Sequence, residues 1–169
     1  ARQSCMTAEI GYYVDTLGSP SQTKCLPGQD NPDQGATSVV ACLDAEPGFY
    51  VQTTTSGAAS QTPCSAGTYQ AAFGMTECTE AEEGYYVDTT QATTPTPCEA
   101  GTYQPSTGQV SCLDAGDGHY VAGTGQSEHT PCPVGTYQPN VGSTACVDAD
   151  PGYFVGEEGL SLIHISEPT

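Results

Sequence analysis

The sequence predicts a small disulfide-rich fold, mostly β hairpins and irregular loops, set out as an elongated tandem-repeat rod. Its units are about 17 residues long and alternate with and without a cystine. Three observations carry this prediction: a glycine recurs at fixed spacing, the nine cysteines share two positions of the repeat, and the chain lacks apolar residues for one large core.

The core argument comes from composition. Leu, Ile, Val and Phe together number 23 in 169 residues, and the formal net charge is -18. Such a balance by itself points to disorder. Nine cysteines and ten tyrosines point the other way, because crosslinks and local aromatic packing replace a deep core in small modules. Arg2 and Lys24 are the only Lys or Arg residues. Binding a nucleic-acid backbone or an anionic membrane needs clustered basic side chains, so both partners are excluded. No apolar run has the length of a membrane span, and no direct membrane insertion of this segment is expected. Tandem cysteines imply an oxidising, extracellular location, secreted or at the cell surface. The first residue is Ala, so the natural N-terminus is expected upstream.

The repeat appears on aligning Gly-x-aromatic. Gly67, Gly84, Gly101, Gly118, Gly135 and Gly152 are each 17 residues apart, and Gly11, Gly28 and Gly48 continue the series upstream with small insertions. Two residues after each stands Tyr13, Tyr50, Tyr69, Tyr86, Tyr103, Tyr120, Tyr137 or Phe154; only Gly28 lacks the aromatic. These rings are read as the packing element between units, with an aromatic ladder for sugar rings as the alternative. Self-similar units that each bury little must stack on their neighbours.

Two kinds of unit alternate. One reads C-x-x-G-T-Y-Q-x-x-x-G-x-x-x-C; the other opens A-x-x-G, followed by two aromatic or His residues and Val. Superposed, Ala8, Ala45, Ala81 and Ala115 fall in the first cysteine slot, and Gln22, Gln61, Pro95 and His129 in the second. Both slots empty together. Loss of one member of a bonded pair would strand a free thiol, so paired absence supports Cys25–Cys42, Cys64–Cys78, Cys98–Cys112 and Cys132–Cys146. The competing phase, Cys78–Cys98 and Cys112–Cys132, encloses the more variable segments. Cys5 is then left for a partner upstream. Each closed loop contributes about 3 kcal/mol in the chain-entropy account. Repeat pairs are accordingly drawn at 5–42 (with a longer loop), 42–78, 78–112 and 112–146, with a partial fifth at 146–158. Gly supplies left-handed or close-approach backbone, and the aromatics followed by Val alternate as a short strand does. No helix longer than a turn or two is expected.

The Cys-x-x-Gly-x-Tyr motif, a turn glycine, a second Cys and another x-x-Gly-x-Tyr resemble the ephrin-receptor-like cysteine-rich repeat, similar in style to EGF-like and tumour-necrosis-factor-receptor modules. The likeness spans nearly residues 5 to 158. The family usually runs Cys-x-x-Cys between units, whereas Ala8, Ala45, Ala81, Ala115 and Ala149 stand at the second of those cysteines here. The resemblance implies an extracellular structural or binding role without naming a ligand.

Residues 159–169 break the pattern. SLIHISEPT looks like translated sequencing-adapter read, so the segment is set aside as a non-native tail, a genuine terminal cap being the alternative.

Chemistry is sparse. His119 occupies an aromatic slot, His129 an empty cysteine slot, and His164 the tail; none recurs, and no catalytic role or resident cofactor is expected. Carboxylates do recur at unit junctions. Glu80, Glu82, Glu83, Asp88, Asp114 and Asp117 are candidate oxygen ligands for calcium, although no EF-hand spacing exists and acidic loops commonly serve solubility. Thr53, Thr54, Thr55, Thr93, Thr94 and Thr96 lie in Thr-rich, partly Pro-flanked runs of the kind that carry O-linked glycans; ordinary loop threonine is the alternative. No enzyme is expected. The near-identical units favour a structural subunit of a filament, surface hair or coat that self-associates as a homopolymer. A stalk or ligand-binding ectodomain of a surface receptor is the alternative, with residues 25–42 as its unusual element.

Overall fold

The computed structural model describes residues 6–52 and 57–162. The chain divides into two compact units, Ala1–Thr79 with Thr89–Thr94, and Glu80–Asp88 with Pro95–Thr169. Among the described residues, sixteen two-residue strands form eight two-stranded sheets, and the only helical segment is a 3-10 turn at Val39–Ala41. That turn sits inside the longer 25–42 loop and absorbs its extra residues; Ser38 caps it by accepting from the Val40 N–H.

Seven strand pairs are antiparallel, and all of these but Gln29–Asp30 with Leu43–Asp44 place the aromatic step after the ruler glycine against the next slot. In the second unit Tyr85–Tyr86 pairs with Thr96–Pro97, Thr102–Tyr103 with Leu113–Asp114, His119–Tyr120 with Thr130–Pro131, and Thr136–Tyr137 with Val147–Asp148. The first unit repeats the scheme, with Tyr12–Tyr13 on Thr23–Lys24 and Phe49–Tyr50 on Thr62–Pro63. Pro63, Pro97 and Pro131 are tolerated because each sheet has only two strands, leaving one edge of every strand without a ladder partner.

Backbone bonds close each turn and tie it to the next. The N–H groups of Cys98, Ala115 and Cys132 donate to the carbonyls of Gly84, Gly101 and Gly118, each at 2.8 Å. Between turns, Gly84 donates to Gln104, Gly101 to Val121 and Gly118 to Gln138. Val87, Gln104 and Val121 donate to Gln109, Gln126 and Ser143, while Gly108, Gly125 and Gly142 reach back to Ala81, Cys98 and Ala115. The same three links recur in the first unit, as in Gly48 to Gln70, Val51 to Met75 and Gly74 to Ala45. Neighbouring turns within a unit therefore satisfy one another's main chain, which a 17-residue loop cannot do alone.

At Gly101 the ruler glycine is demanded twice over. Gly101 has φ of +90°, and a Cβ there would overlap the carbonyl of Gly142, in the second turn after it. Gly74, Gly108, Gly125, Gly142 and Gly159 are left-handed as well, and Gln91 (φ 62°) is the one non-glycine with positive φ among the described residues.

Each unit has a narrow core. Ala45, Cys64, Ala81, Cys98, Ala115 and Cys132 are fully buried, and so, nearly, are Val51, Gln70, Val87, Gln104, Val121, Gln138 and Val155. From Tyr50 onward the residue after the aromatic, not the aromatic itself, is buried. Tyr13, Tyr50, Tyr69, Tyr86, Tyr103, Tyr120 and Tyr137 are half-buried, and Phe154 is exposed. The turn-to-turn bonding continues through Gly159, which donates to Cys132, and Leu160, which accepts from Gln138. The repeat thus runs two residues into the segment 159–169 that the sequence sets aside; 163–169, with His164, lie outside the described residues.

Candidate functional site: the staple position and its substitutes

The chemically distinctive position of every turn is the pair of slots that a cystine fills or leaves. Four disulfides occupy it: Cys25–Cys42, Cys64–Cys78, Cys98–Cys112 and Cys132–Cys146, with Cα–Cα separations of 5.6, 5.8, 5.8 and 5.7 Å. Cys5 lies outside the described residues.

The same turns carry a second, non-covalent brace. The Gln104 side chain donates from Nε2 to the Ser111 carbonyl at 2.7 Å and accepts the Ser106 N–H on Oε1 at 3.1 Å. Gln70 and Gln138 repeat it with Glu77 and Ala72, and with Ala145 and Asn140. Asn31, in the lengthened turn, is too short for the far carbonyl; it takes the Asp33 N–H and donates to the Tyr12 carbonyl. The sequence shows this only as an invariant Q closing each GTYQ, where the alternate turns have Val. Periodicity alone assigns no role to it.

The empty slots are not empty. Ala replaces the first cysteine with no change in burial. At the second slot Gln61 accepts the Glu46 N–H at 2.7 Å, and Gln22 accepts the Glu9 N–H at 2.8 Å and donates to the Glu9 carboxylate. A side-chain hydrogen bond thus spans the gap that a disulfide spans in the next turn. His129 fills the slot differently. Its ring lies 4.1 Å from that of His119, stacked at 15°, and 4.7 Å from that of Tyr103 in the preceding turn. Its Nδ1 is buried without a hydrogen-bond partner. Burial, and then the neighbouring His119, hold the His129 imidazole below the usual histidine range, against a smaller opposing pull from Glu128.

The carboxylates do not converge. Glu80, Glu82, Glu83, Asp88, Asp114 and Asp117 are all exposed, and among the described residues no three His, Cys, Asp or Glu side chains gather into a metal site. Glu80 instead accepts from the Thr107 hydroxyl at 2.9 Å. Asp30, at the position of the missing aromatic, has its carboxyl pushed up by burial, with Glu46 adding to the shift and a backbone hydrogen bond opposing it. Open hollows recur beside the tyrosines. One of about 460 Å³ is lined by Tyr50, Thr68 and Glu77, and one of about 350 Å³ by Tyr86, Glu99 and Thr102. Thr93, Thr94 and Thr96 are exposed, and Thr53, Thr54 and Thr55 lie outside the described residues.

A family described as tyrosine-protein kinase ephrin type A/B receptor-like matches residues 84–122 and again 118–149. Residues 84–149 are ephrin-receptor-like repeats. The matched span covers two stapled turns and the alternate turn between them, with the braces of Gln104 and Gln138. Turns upstream of the ephrin-receptor-like match share its staple, brace and backbone bonding. The disulfides and the repeat family together point to an extracellular chain. No curated relative matches it. Among the described residues no helix is long and apolar enough to cross a membrane.

Proposed function

We propose that this chain is an extracellular repeat segment acting as a spacer, the stalk of a surface ectodomain. One observation supports the reading: the buried Gln side chains brace their own turns and the main chain bonds neighbouring turns, while the recurring carboxylates from Glu80 to Asp117 stand exposed. With a net charge of -18, copies of the chain repel one another at low ionic strength. No catalytic role belongs to this reading. Glycans on Thr93, Thr94 and Thr96, exposed beside Pro95 and Pro97, would suit it by extending and shielding the surface.

Assembly into a filament, hair or coat is the second reading. Exposed Val110, Leu113, Val134, Val141 and Val147 favour it, because apolar groups on a repeating surface offer lateral contacts once charge is screened. Sedimentation velocity at about 50 mM and 1 M salt, with negative-stain electron microscopy, separates the two. A monomer throughout supports the spacer; salt-promoted polymers with a regular subunit overturn it.

A further inference from the structure

Among the described residues, every turn but one fills its second slot with a group that does not titrate between pH 5 and 8. The groups are a disulfide, Gln22, Gln61 or Pro95. The exception is the turn of Ala115, where the slot holds His129 and the strand opposite holds His119. We propose that the column Tyr103–His129–His119 is an acid-sensitive joint, which clasps two successive turns at neutral pH and loosens them on acidification.

The geometry supplies the reason. With both imidazoles neutral, His129 stacks on His119 and meets Tyr103 at a 30° tilt, joining the turn of Cys98 to the turn of Ala115. Protonating both histidines puts like charges 4.1 Å apart, a separation at which repulsion is substantial even close to solvent. Protonation of His129 also leaves a charged donor on a buried Nδ1 that no acceptor reaches. The titratable groups facing the pair are few. Tyr103 is a neutral phenol, Glu128 adjoins His129, and Asp117 meets the His119 Nδ1 through its main-chain carbonyl at 3.0 Å. Pro131 pairs with His119 and Gly159 lies beside it, neither bringing charge. Glu128 alone favours the protonated state of His129, and it is outweighed.

The sign follows from linkage. A histidine held below its unfolded value binds protons more readily in the unfolded chain. Its contribution is complete above about pH 6.5 and is lost as pH falls through the histidine range. The joint is local, since the other described turns keep a disulfide, a Gln or Pro95 in the same place.

The test compares the full oxidised chain with His129→Gln, a substitution that the Gln22 and Gln61 slots show to fit. The response of the remaining carboxylates is common to both and cancels. Between pH 7.5 and pH 5.5 the wild-type melting temperature should fall by about 3–5 °C more than that of the variant. His129, followed by NMR, should titrate below the ordinary value of 6.5. His119→Tyr, which copies the aromatic of the other alternate turns, should likewise reduce the acid loss by removing the second charge. Equal acid-induced shifts in wild type and His129→Gln, or titration of His129 at or above 6.5, would overturn the joint.

Discussion

Gln104→Ala tests the brace on which each stapled turn depends. The side chain is 4% exposed and makes two hydrogen bonds, at 2.7 Å to the Ser111 carbonyl and 3.1 Å to the Ser106 N–H. Each bond is worth about 1 kcal/mol net, and a freed main-chain group shut off from water costs about 1–3 kcal/mol. Ser106 and Ser111 have exposed side chains, so water reaches part of the vacated space and the lower end applies. The expected loss is about 2–3 kcal/mol, comparable with the disulfide of the same turn. Gln104→Val separates the causes, since Val87 and Val121 occupy this position in the alternate turns. It restores packing without restoring either bond, and should keep at least half of the loss. Urea unfolding of the oxidised chain gives the energies, and amide exchange across 102–112 localises them. If Gln104→Ala falls within about 0.5 kcal/mol of wild type, the brace is incidental.

Three further outcomes follow from the same geometry. Gln91→Gly, at the single left-handed non-glycine, should stabilise the chain by about 1 kcal/mol in urea unfolding; a loss of stability would show that the Gln91 side chain compensates its backbone. Replacing Cys98 with Ala and Cys112 with Gln copies Ala45 and Gln61. This pair should lose about 3 kcal/mol relative to wild type yet stand about 1 kcal/mol above the double alanine variant, measured by thermal melting. Asp30→Asn should raise the melting temperature at pH 7. The folded state holds this carboxyl above its usual value, so ionising it costs stability as pH rises, and the advantage should vanish below the ordinary carboxylate range near 3.8.

The repeat was legible because its causes are local. A glycine forced to left-handed φ and close approach, as at Gly101, leaves an invariant letter at fixed spacing, and a bonded cysteine pair must be lost together, as at Ala81 and Pro95. The tyrosines were a poorer guide to the core. Spacing shows that they recur, but only the stacking of turns determines that Val121 and Gln104 point inward while Tyr103 and Tyr120 remain half-exposed. The substitutes at the second slot were hidden for a related reason. Superposing the units puts Gln61, Pro95 and His129 in one slot, but they share no chemical class, and what Gln61 and His129 do there emerges only when Glu46 or His119 is brought opposite. Turn-to-turn bonding reaches Gly159 and Leu160, where the sequence neighbours are unlike the repeat although Gly159 shares the left-handed backbone of Gly142.

Disulfide mapping tests the account most directly, because the staple phase decides which residues lie opposite one another. Proteolysis of the non-reduced chain, with mass spectrometry of the linked peptides, should give Cys64–Cys78, Cys98–Cys112 and Cys132–Cys146. Recovery of Cys78–Cys98 and Cys112–Cys132 would move every staple onto the alternate turns and contradict it.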